Sequence, residues 1–223
     1  MGGSSLQFEE DYFNNRRYTH KEQLVKRHVL EVIKWASKAS NSNLSSGQGK
    51  KALDVGCAYG YASQVLETLG YETYGLDLSR WGVRQAKTNS SGHFLVCDAQ
   101  AKLPFKDMTF DLITCCDVIE HLQFPEKTIQ DMLAICDGVM VCTTPNKAVE
   151  KPVRKIMRDF DETHINVKFP SEWETCIKKK LNYKLLKIET FYDLTAKLAN
   201  SKLFFKSFNV PNFGLTVRIL VRK

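Results

Sequence analysis

No stretch of this chain approaches the ~20 consecutive apolar residues that a membrane-spanning helix needs. The greasiest run, Leu112 to Ile119, is strand-sized. Met1 to Glu10 is small and acidic and lacks the basic-then-apolar layout of a secretory signal. Leu6 stands where an acylation signal after Gly2 would place Ser or Thr. None of the 7 cysteines falls in a C-x-x-C pair, which argues against zinc ribbons and thioredoxin-like sites. Their number is odd and they are scattered. Cys97, Cys115, Cys116 and Cys142 sit in stretches that read as buried strands, where a thiol is a small apolar group, and Cys57 sits in a Gly-containing turn. A reducing, cytoplasmic setting is expected. No internal repeat is visible, and neither is an appended nucleic-acid-binding module.

What is present is a globular composition, 43% hydrophobic and 26% charged over 223 residues. That suits one ordinary domain with little room for a second core. The net charge is +7. Such a surplus attracts nucleic acid, anionic membrane or phosphorylated ligands, or simply leaves a soluble protein basic.

Thr19 and Glu22 have the spacing of a capping box, ahead of an amphipathic helix over Lys21 to Lys38. Its apolar stripe is Leu24, Val25, His28, Val29, Val32, Ile33 and Trp35. Ser40 to Lys50 reads as a loop. Strands are then predicted over Lys51 to Val55, Glu72 to Leu76, His93 to Cys97, Phe110 to Cys116 and Gly138 to Thr143. Helices over Tyr61 to Leu69, Arg80 to Thr88 and Pro125 to Ala134 alternate with them. The continuous apolar run at Phe110 to Cys116 is that of a strand covered on both faces. This βαβ rhythm predicts an α/β, Rossmann-like, doubly wound and mostly parallel sheet of seven strands, with helices on both faces. Tyr183 to Phe191 and Leu215 to Val221 alternate instead and are expected to close one edge antiparallel. A long Phe/Lys-rich segment joins them. Residues 1–50 read as a helical cap and loop of the same domain as residues 51–223.

At the junction of the first strand and its helix lies Leu53-Asp54-Val55-Gly56-Cys57-Ala58-Tyr59-Gly60. Glycines there allow a tight turn and close approach of backbone to a ligand, although a plain structural turn uses them equally. Asp77 ends the second strand, where a carboxylate can accept ribose hydroxyls. Asp98 ends the third and can accept an adenine amine, with Ala99 and Gln100 adding backbone contacts. Asp117 follows the fourth, in Asp117-Val118-Ile119-Glu120-His121-Leu122. Acids at successive carboxyl ends of strands face the crevice in which such sheets bind ligands.

Over Ala52 to Asn146 these residues resemble the class I S-adenosylmethionine-dependent methyltransferases, within the subgroup that includes ubiquinone- and menaquinone-biosynthesis enzymes. The resemblance implies that Asp54 and the loop Gly56, Cys57, Ala58, Tyr59 and Gly60 hold the methionine portion of the cofactor. It places Asp77 with Leu78 at the ribose, Asp98 with Ala99 at the adenine, and Cys116 alongside. S-Adenosylhomocysteine would be the product. Ala58 departs from the family's usual Gly. The loop has no phosphate-binding lysine and does not run Gly-x-Gly-x-x-Gly, which disfavours a nicotinamide dehydrogenase.

For the chemistry, Asp117, His121 and the distant His164 are the candidate catalytic residues, with His121 a general base on a hydroxyl or phenol. An acid-x-x-Glu-His motif with a later His also resembles the metal site of some O-methyltransferases. It implies Asp117, Glu120, His121 and His164 as ligands of Mg²⁺, with Asp117 a methylene shorter than the usual Glu. A purely structural role for Glu120 and His121, capping the next helix, stays open beside both. Pro145 and Asn146 are expected to shape a loop over the acceptor, Lys147 to Lys168 to form a charged lid, and Arg16, Arg17 and Tyr18 to close the pocket. The expected partner is a small-molecule acceptor bound by a monomer or homodimer. RNA methylation and cofactor binding without catalysis are the alternatives.

Overall fold

The computed structural model describes residues 8–157, 161–197 and 203–222. The expectations placed on residues 1–7 lie outside the described residues.

Among the described residues, eight strands form one sheet in the order β3-β2-β1-β4-β5-β8-β6-β7. The strands β1 (Lys51–Val55), β2 (Glu72–Asp77), β3 (His93–Val96), β4 (Phe110–Cys116) and β5 (Cys136–Pro145) run parallel. Helices α3 (Tyr61–Thr68), α4 (Arg80–Asn89) and α5 (Pro125–Ile135) cross between them. The closing strands β6 (Lys184–Lys197), β7 (Leu203–Asn209) and β8 (Thr216–Arg222) pair antiparallel, with β8 inserted between β5 and β6.

The expected seven strands are therefore eight. The extra one, β7, lies in the Phe/Lys-rich segment that was read as a connection. Among the described residues it pairs only with β6, and Phe204 and Phe208 on it are 37% and 39% exposed. Its residues alternate half-buried and exposed, but phenylalanines fall on both faces, so no apolar alternation marks it, and its central Lys206 is the kind of charge that discourages further pairing.

Alternate residues of each central strand feed two cores, as a sheet covered on both faces requires. Leu53, Val55, Ile113, Met140, Cys142, Ile219 and the wholly buried Trp173 share one cluster with α5. Ala52, Leu112, Val139, Val141 and Leu220 share the other with α3 and the long α2 (Glu22–Ser40). On α2, Val29, Val32, Ile33 and Ala36 are buried, whereas Leu24 is 36% exposed and falls outside the stripe expected of it. The capping box at Thr19 does not form. Arg17 adopts a left-handed conformation (φ 48°), Tyr18–Lys21 becomes a 3-10 turn, and α2 starts at Glu22 without a side-chain cap. An additional short helix, α1 (Glu10–Asn15), precedes it. Beyond β5 come α6 (Lys147–Met157) and α7 (Pro170–Thr175), which bound the charged segment expected to act as a lid. Among the described residues no helix is long and apolar enough to cross a membrane.

Gly138 shows how tightly β5 sits on β4. A Cβ there would lie 1.9 Å from the carbonyl oxygen of Asp111. Gly138→Ala is expected to lower stability by about 2 kcal/mol or more, as overpacking does. The check is urea unfolding: a lower midpoint at unchanged slope is expected.

Candidate active site

The sheet reverses its winding at β1, which pairs with β2 on one side and β4 on the other. The loops leaving the carboxyl ends of these strands part there and leave a crevice. A cavity of about 620 Å³ occupies it.

Left-handed backbone shapes its floor. Gly56 (φ 76°), Ala58 (φ 46°) and Asp117 (φ 55°) all adopt it. At Gly56 a Cβ would also fall 2.2 Å from Cγ2 of Val118, so this turn admits only glycine. Asp77 fastens the loop: its Oδ2 accepts the Ala58 N–H and its Oδ1 the Ser79 N–H, each at 2.8 Å. Those bonds oppose the larger effect of burial, which raises the Asp77 carboxyl above its ordinary value. Asp54, 2% exposed, accepts Ser63 Oγ at 2.7 Å and Thr114 Oγ1 at 3.2 Å. Burial nevertheless lifts its carboxyl to about 6. Asp98 accepts the Gln100 N–H, and Gln100 Oε1 in turn accepts from Gln123 and Phe124 N–H, joining the loop after β3 to the loop after β4.

Of the residues expected to bind a cofactor, Asp54, Gly56, Cys57, Ala58, Asp77, Leu78, Asp98, Ala99 and Cys116 line the cavity, and so does Gln100. Tyr59 and Gly60 support it from behind. Tyr59 packs among Phe13, Tyr18 and Tyr61 and accepts the Trp81 indole N–H at 3.0 Å. Gly60 lets the loop lie against Ala86.

The other end of the crevice gathers Glu120, His121 and His164, whose ligand-type atoms lie within 4.8 Å of one another. Asp117 stands apart from this group, its Oδ1 accepting Thr143 Oγ1 at 3.1 Å. Glu120 is fully buried, and neither carboxylate oxygen has a hydrogen-bond partner among the described residues. Burial, then the nearby Asp117 charge, pushes its carboxyl well above the ordinary range. His121 Nδ1 faces two atoms of Thr163, Oγ1 at 2.8 Å and the carbonyl oxygen at 3.2 Å. Thr163 Oγ1 gives its proton to Asp161 at 2.5 Å, so both atoms can only accept, and His121 carries its own proton on Nδ1. Burial, helped by His164, lowers the His121 imidazole to about 4. His164 meets Glu150 Oε1 at 3.0 Å and the Arg154 guanidinium at 2.8 Å.

From the segment expected to act as a lid, Arg154, Asp161 and His164 line the cavity. Sequence reasoning missed Asp161, Thr163, Arg154 and Glu150, which sit in a run that reads only as charge. It also missed the N-terminal wall of Phe8, Tyr12 and Phe13. Glu9, beside that wall, accepts the Arg80 and Trp81 N–H groups at the start of α4. Arg16 and Tyr18 line the cavity, with Arg16 paired to Asp161 at 2.5 Å, whereas Arg17 stays exposed outside it.

The sequence profile of the methyltransferase-domain family matches residues 23–188. A ubiquinone biosynthesis O-methyltransferase of Azoarcus sp. (strain BH72) is 36% identical over 86 residues, covering 36% of this chain and 37% of that protein. One of the same description from Glaesserella parasuis is 30% identical over 136 residues, covering 55% of this chain and 56% of that protein. The chain thus spans about half or less of the length of these curated relatives. Among solved structures, a SAM-dependent methyltransferase from Archaeoglobus fulgidus superposes with a TM-score of 0.71 at 16% identity, covering 96% of this chain and 100% of that one.

Removing the Asp77 carboxylate takes away both acceptors that fasten the crevice loop. In Asp77→Ala the amide of Ala58 is expected to exchange with deuterium at least roughly tenfold faster, following loss of a charge-assisted bond. Unchanged exchange in the Gly56 to Gly60 segment would show that the loop holds itself.

Proposed function

The chain belongs to the methyltransferase-domain family, and from that premise we propose that it moves the methyl group of S-adenosylmethionine to a hydroxyl of a small, partly apolar acceptor. One observation carries this reading: a single cavity is lined both by the strand-end acids Asp54, Asp77 and Asp98 and by the Glu120, His121, His164 group. The O-methyltransferase description of the curated relatives supports a hydroxyl, and a hydroxylated ring is the acceptor it suggests.

The acids and the Gly56 to Ala58 turn fit the cofactor. The turn excludes even a Cβ at Gly56, and the Asp77 carboxylate stands at the strand end suited to ribose. Asp98 and Ala99 take the adenine end, Asp54 and the loop the methionine end, and Cys116 lies alongside. When bound, S-adenosylmethionine supplies an electrophilic methyl carbon on a positively charged sulfur. The protein's contribution is alignment. His121, with its proton fixed on Nδ1 by Thr163, presents the Nε2 lone pair to the acceptor hydroxyl. The hydroxyl oxygen becomes strongly acidic as it bonds carbon, so a neutral imidazole suffices to take its proton. Phe8 and Tyr12 wall this end, with the Phe8 ring 5.8 Å from that of His121.

A second reading is favoured by Glu120 alone, whose two unpartnered oxygens are a natural seat for a divalent cation. Glu120, His121 and His164 would hold it, and it would lower the pKa of the acceptor hydroxyl. Asp117 does not join them, and Arg154 already places positive charge against His164.

With S-adenosylmethionine and 4-butylcatechol, the protein is expected to release a mono-methylated catechol detectable by mass spectrometry. His121→Gln is expected to lower kcat roughly a hundredfold, as loss of a general base does. Methylation of a short RNA in preference to any phenol would contradict the reading. Prior treatment with EDTA is expected to leave the rate within about twofold of the untreated enzyme, because the imidazole acts without a metal. A loss reversed by Mg²⁺ would establish the second reading instead.

A further inference from the structure

Helix α1 lies across the crevice and is fastened to both of its halves. On the cofactor side the Phe13 ring packs 4.9 Å from that of Tyr59. The same ring lies against the start of α4, where a Cβ at Gly82 would fall 3.3 Å from it. Glu9, one residue before α1, holds the Arg80 and Trp81 N–H groups there. On the other side Arg16 pairs with Asp161, which reaches His121 through Thr163. Phe8 also sets its ring edge-on to that of His121.

Tyr12 stands between these attachments. Its ring meets Phe8 at 5.0 Å and Phe13 at 5.4 Å, both edge to face, and the Arg16 guanidinium lies 4.7 Å over it. Its neighbours thus fix the ring. The side chain lines the cavity, and its hydroxyl makes no hydrogen bond among the described residues and keeps water-accessible surface. Burial pushes the phenol up to about 12; the Arg16 charge opposes this, while those of Asp161, Glu120 and Asp77 add to it. Asp161 and Glu120 belong to the imidazole half of the cavity and Asp77 to the cofactor half. The hydroxyl is therefore held near the boundary that a transferred methyl group must cross. At neutral pH it keeps its proton and is a donor without a partner.

We propose that the Tyr12 hydroxyl is the second group that holds the reacting oxygen of the acceptor, donating to one of its lone pairs while His121 Nε2 receives its proton. A hydroxyl oxygen carries two lone pairs and one proton. With one lone pair on Tyr12 and the proton on His121, a single lone pair is left, and it is aimed at the methyl carbon. As that pair forms the O–C bond, the C–S bond breaks and its electrons stay on sulfur. The acceptor proton passes to His121, and Tyr12 retains its own throughout. Its contribution is alignment, because oxygen, carbon and sulfur must lie in line for the displacement. The proposal rests on the methyl-acceptor reading above and adds the residue that aims the oxygen.

The test uses the full chain carrying ¹³Cζ-tyrosine and loaded with S-adenosylhomocysteine, the Tyr12 resonance being the one absent from Tyr12→Phe. Titration with 4-butylcatechol is expected to move that resonance saturably. Tyr12→Phe keeps the ring contacts and deletes only the hydroxyl. It is expected to lower kcat roughly tenfold, with KM for the catechol changed less than about threefold and S-adenosylhomocysteine affinity unchanged. The split follows because the bond replaces one to water in the ground state and aims the oxygen in the transition state. A Tyr12 resonance unmoved at saturating catechol overturns the proposal, and so does wild-type kcat in Tyr12→Phe. S-Adenosylhomocysteine affinity lost in step with kcat would make Tyr12 a prop for α1 and overturns it as well, as does an absence of catechol binding. The two readings fail separately. A resonance that moves without methyl transfer removes the proposed function and leaves Tyr12 on the bound catechol, whereas methyl transfer with Tyr12 unmoved does the reverse.

Discussion

The crevice depends on how one carboxylate is shared. Asp77 closes β2, yet its two oxygens are spent on N–H groups of two loops, Ala58 after β1 and Ser79 ahead of α4. Without it the left-handed turn at Ala58, strained for a residue with a Cβ, keeps only the flanking backbone bonds from Gly56 and Cys57 N–H to the Leu76 carbonyl and from Gly60 N–H to that of Cys57. The bonds cost nothing at the ligand side, because a carboxylate has about four lone-pair positions and two remain for the crevice. An acid at this strand end can thus latch the loop and still face the crevice. One strand over, Asp98 fastens only its own loop, through the Gln100 N–H, and it is the Gln100 side chain that ties this loop to Gln123 and Phe124, just past Glu120 and His121.

The far side of the cavity is built on different terms. Its groups come from segments that no βαβ unit supplies: the N-terminal aromatic wall, the charged stretch after β5 and the antiparallel strands. Each is tied in by charge. Arg16 meets Asp161, Arg154 meets Glu150, and Arg218 meets Asp193, all with little exposed side-chain surface. Pairs this sheltered are strongly destabilised by loss of one partner and contribute less than that to net stability, so their effect is chiefly on geometry. In both places the geometry fixed is that of a histidine. Asp161 acts on His121 through Thr163, and Asp193 acts on His28 directly.

The parallel half of the fold was readable in the residues because burial on both faces leaves continuous apolar runs, and Phe110 to Cys116 is such a run. The strand-end acids were readable for a related reason: a charged residue interrupts the apolar run where the strand ends, and Asp54, Asp77 and Asp98 all line the crevice. The outer half was not. β7 is an edge strand whose apolar residues fall on both faces, Phe204 and Phe208 on the exposed one and Leu203 and Phe205 on the half-buried one, so its sequence carries no period that distinguishes strand from linker. Thr19 has a capping sequence, but the left-handed Arg17 diverts the chain into a 3-10 turn first. Asp117 has the spacing of a ligand, yet its own left-handed backbone accompanies a side chain bonded to Thr143 rather than to the imidazoles. Asp161 and Asp193 are each one acid among many until tertiary contacts place a histidine within reach. Local sequence records burial and turns well; it records poorly the pairings between segments 40 or more residues apart, such as Thr163 with His121.

The most direct test of the central claim is a crystal structure of the protein grown with S-adenosylhomocysteine. The account predicts the ribose hydroxyls on Asp77, the adenine edge at Asp98 and the sulfur on the side of the crevice that faces Asp117 and His121. Adenosine bound elsewhere, or reversed so that the sulfur faces away from His121, would contradict it.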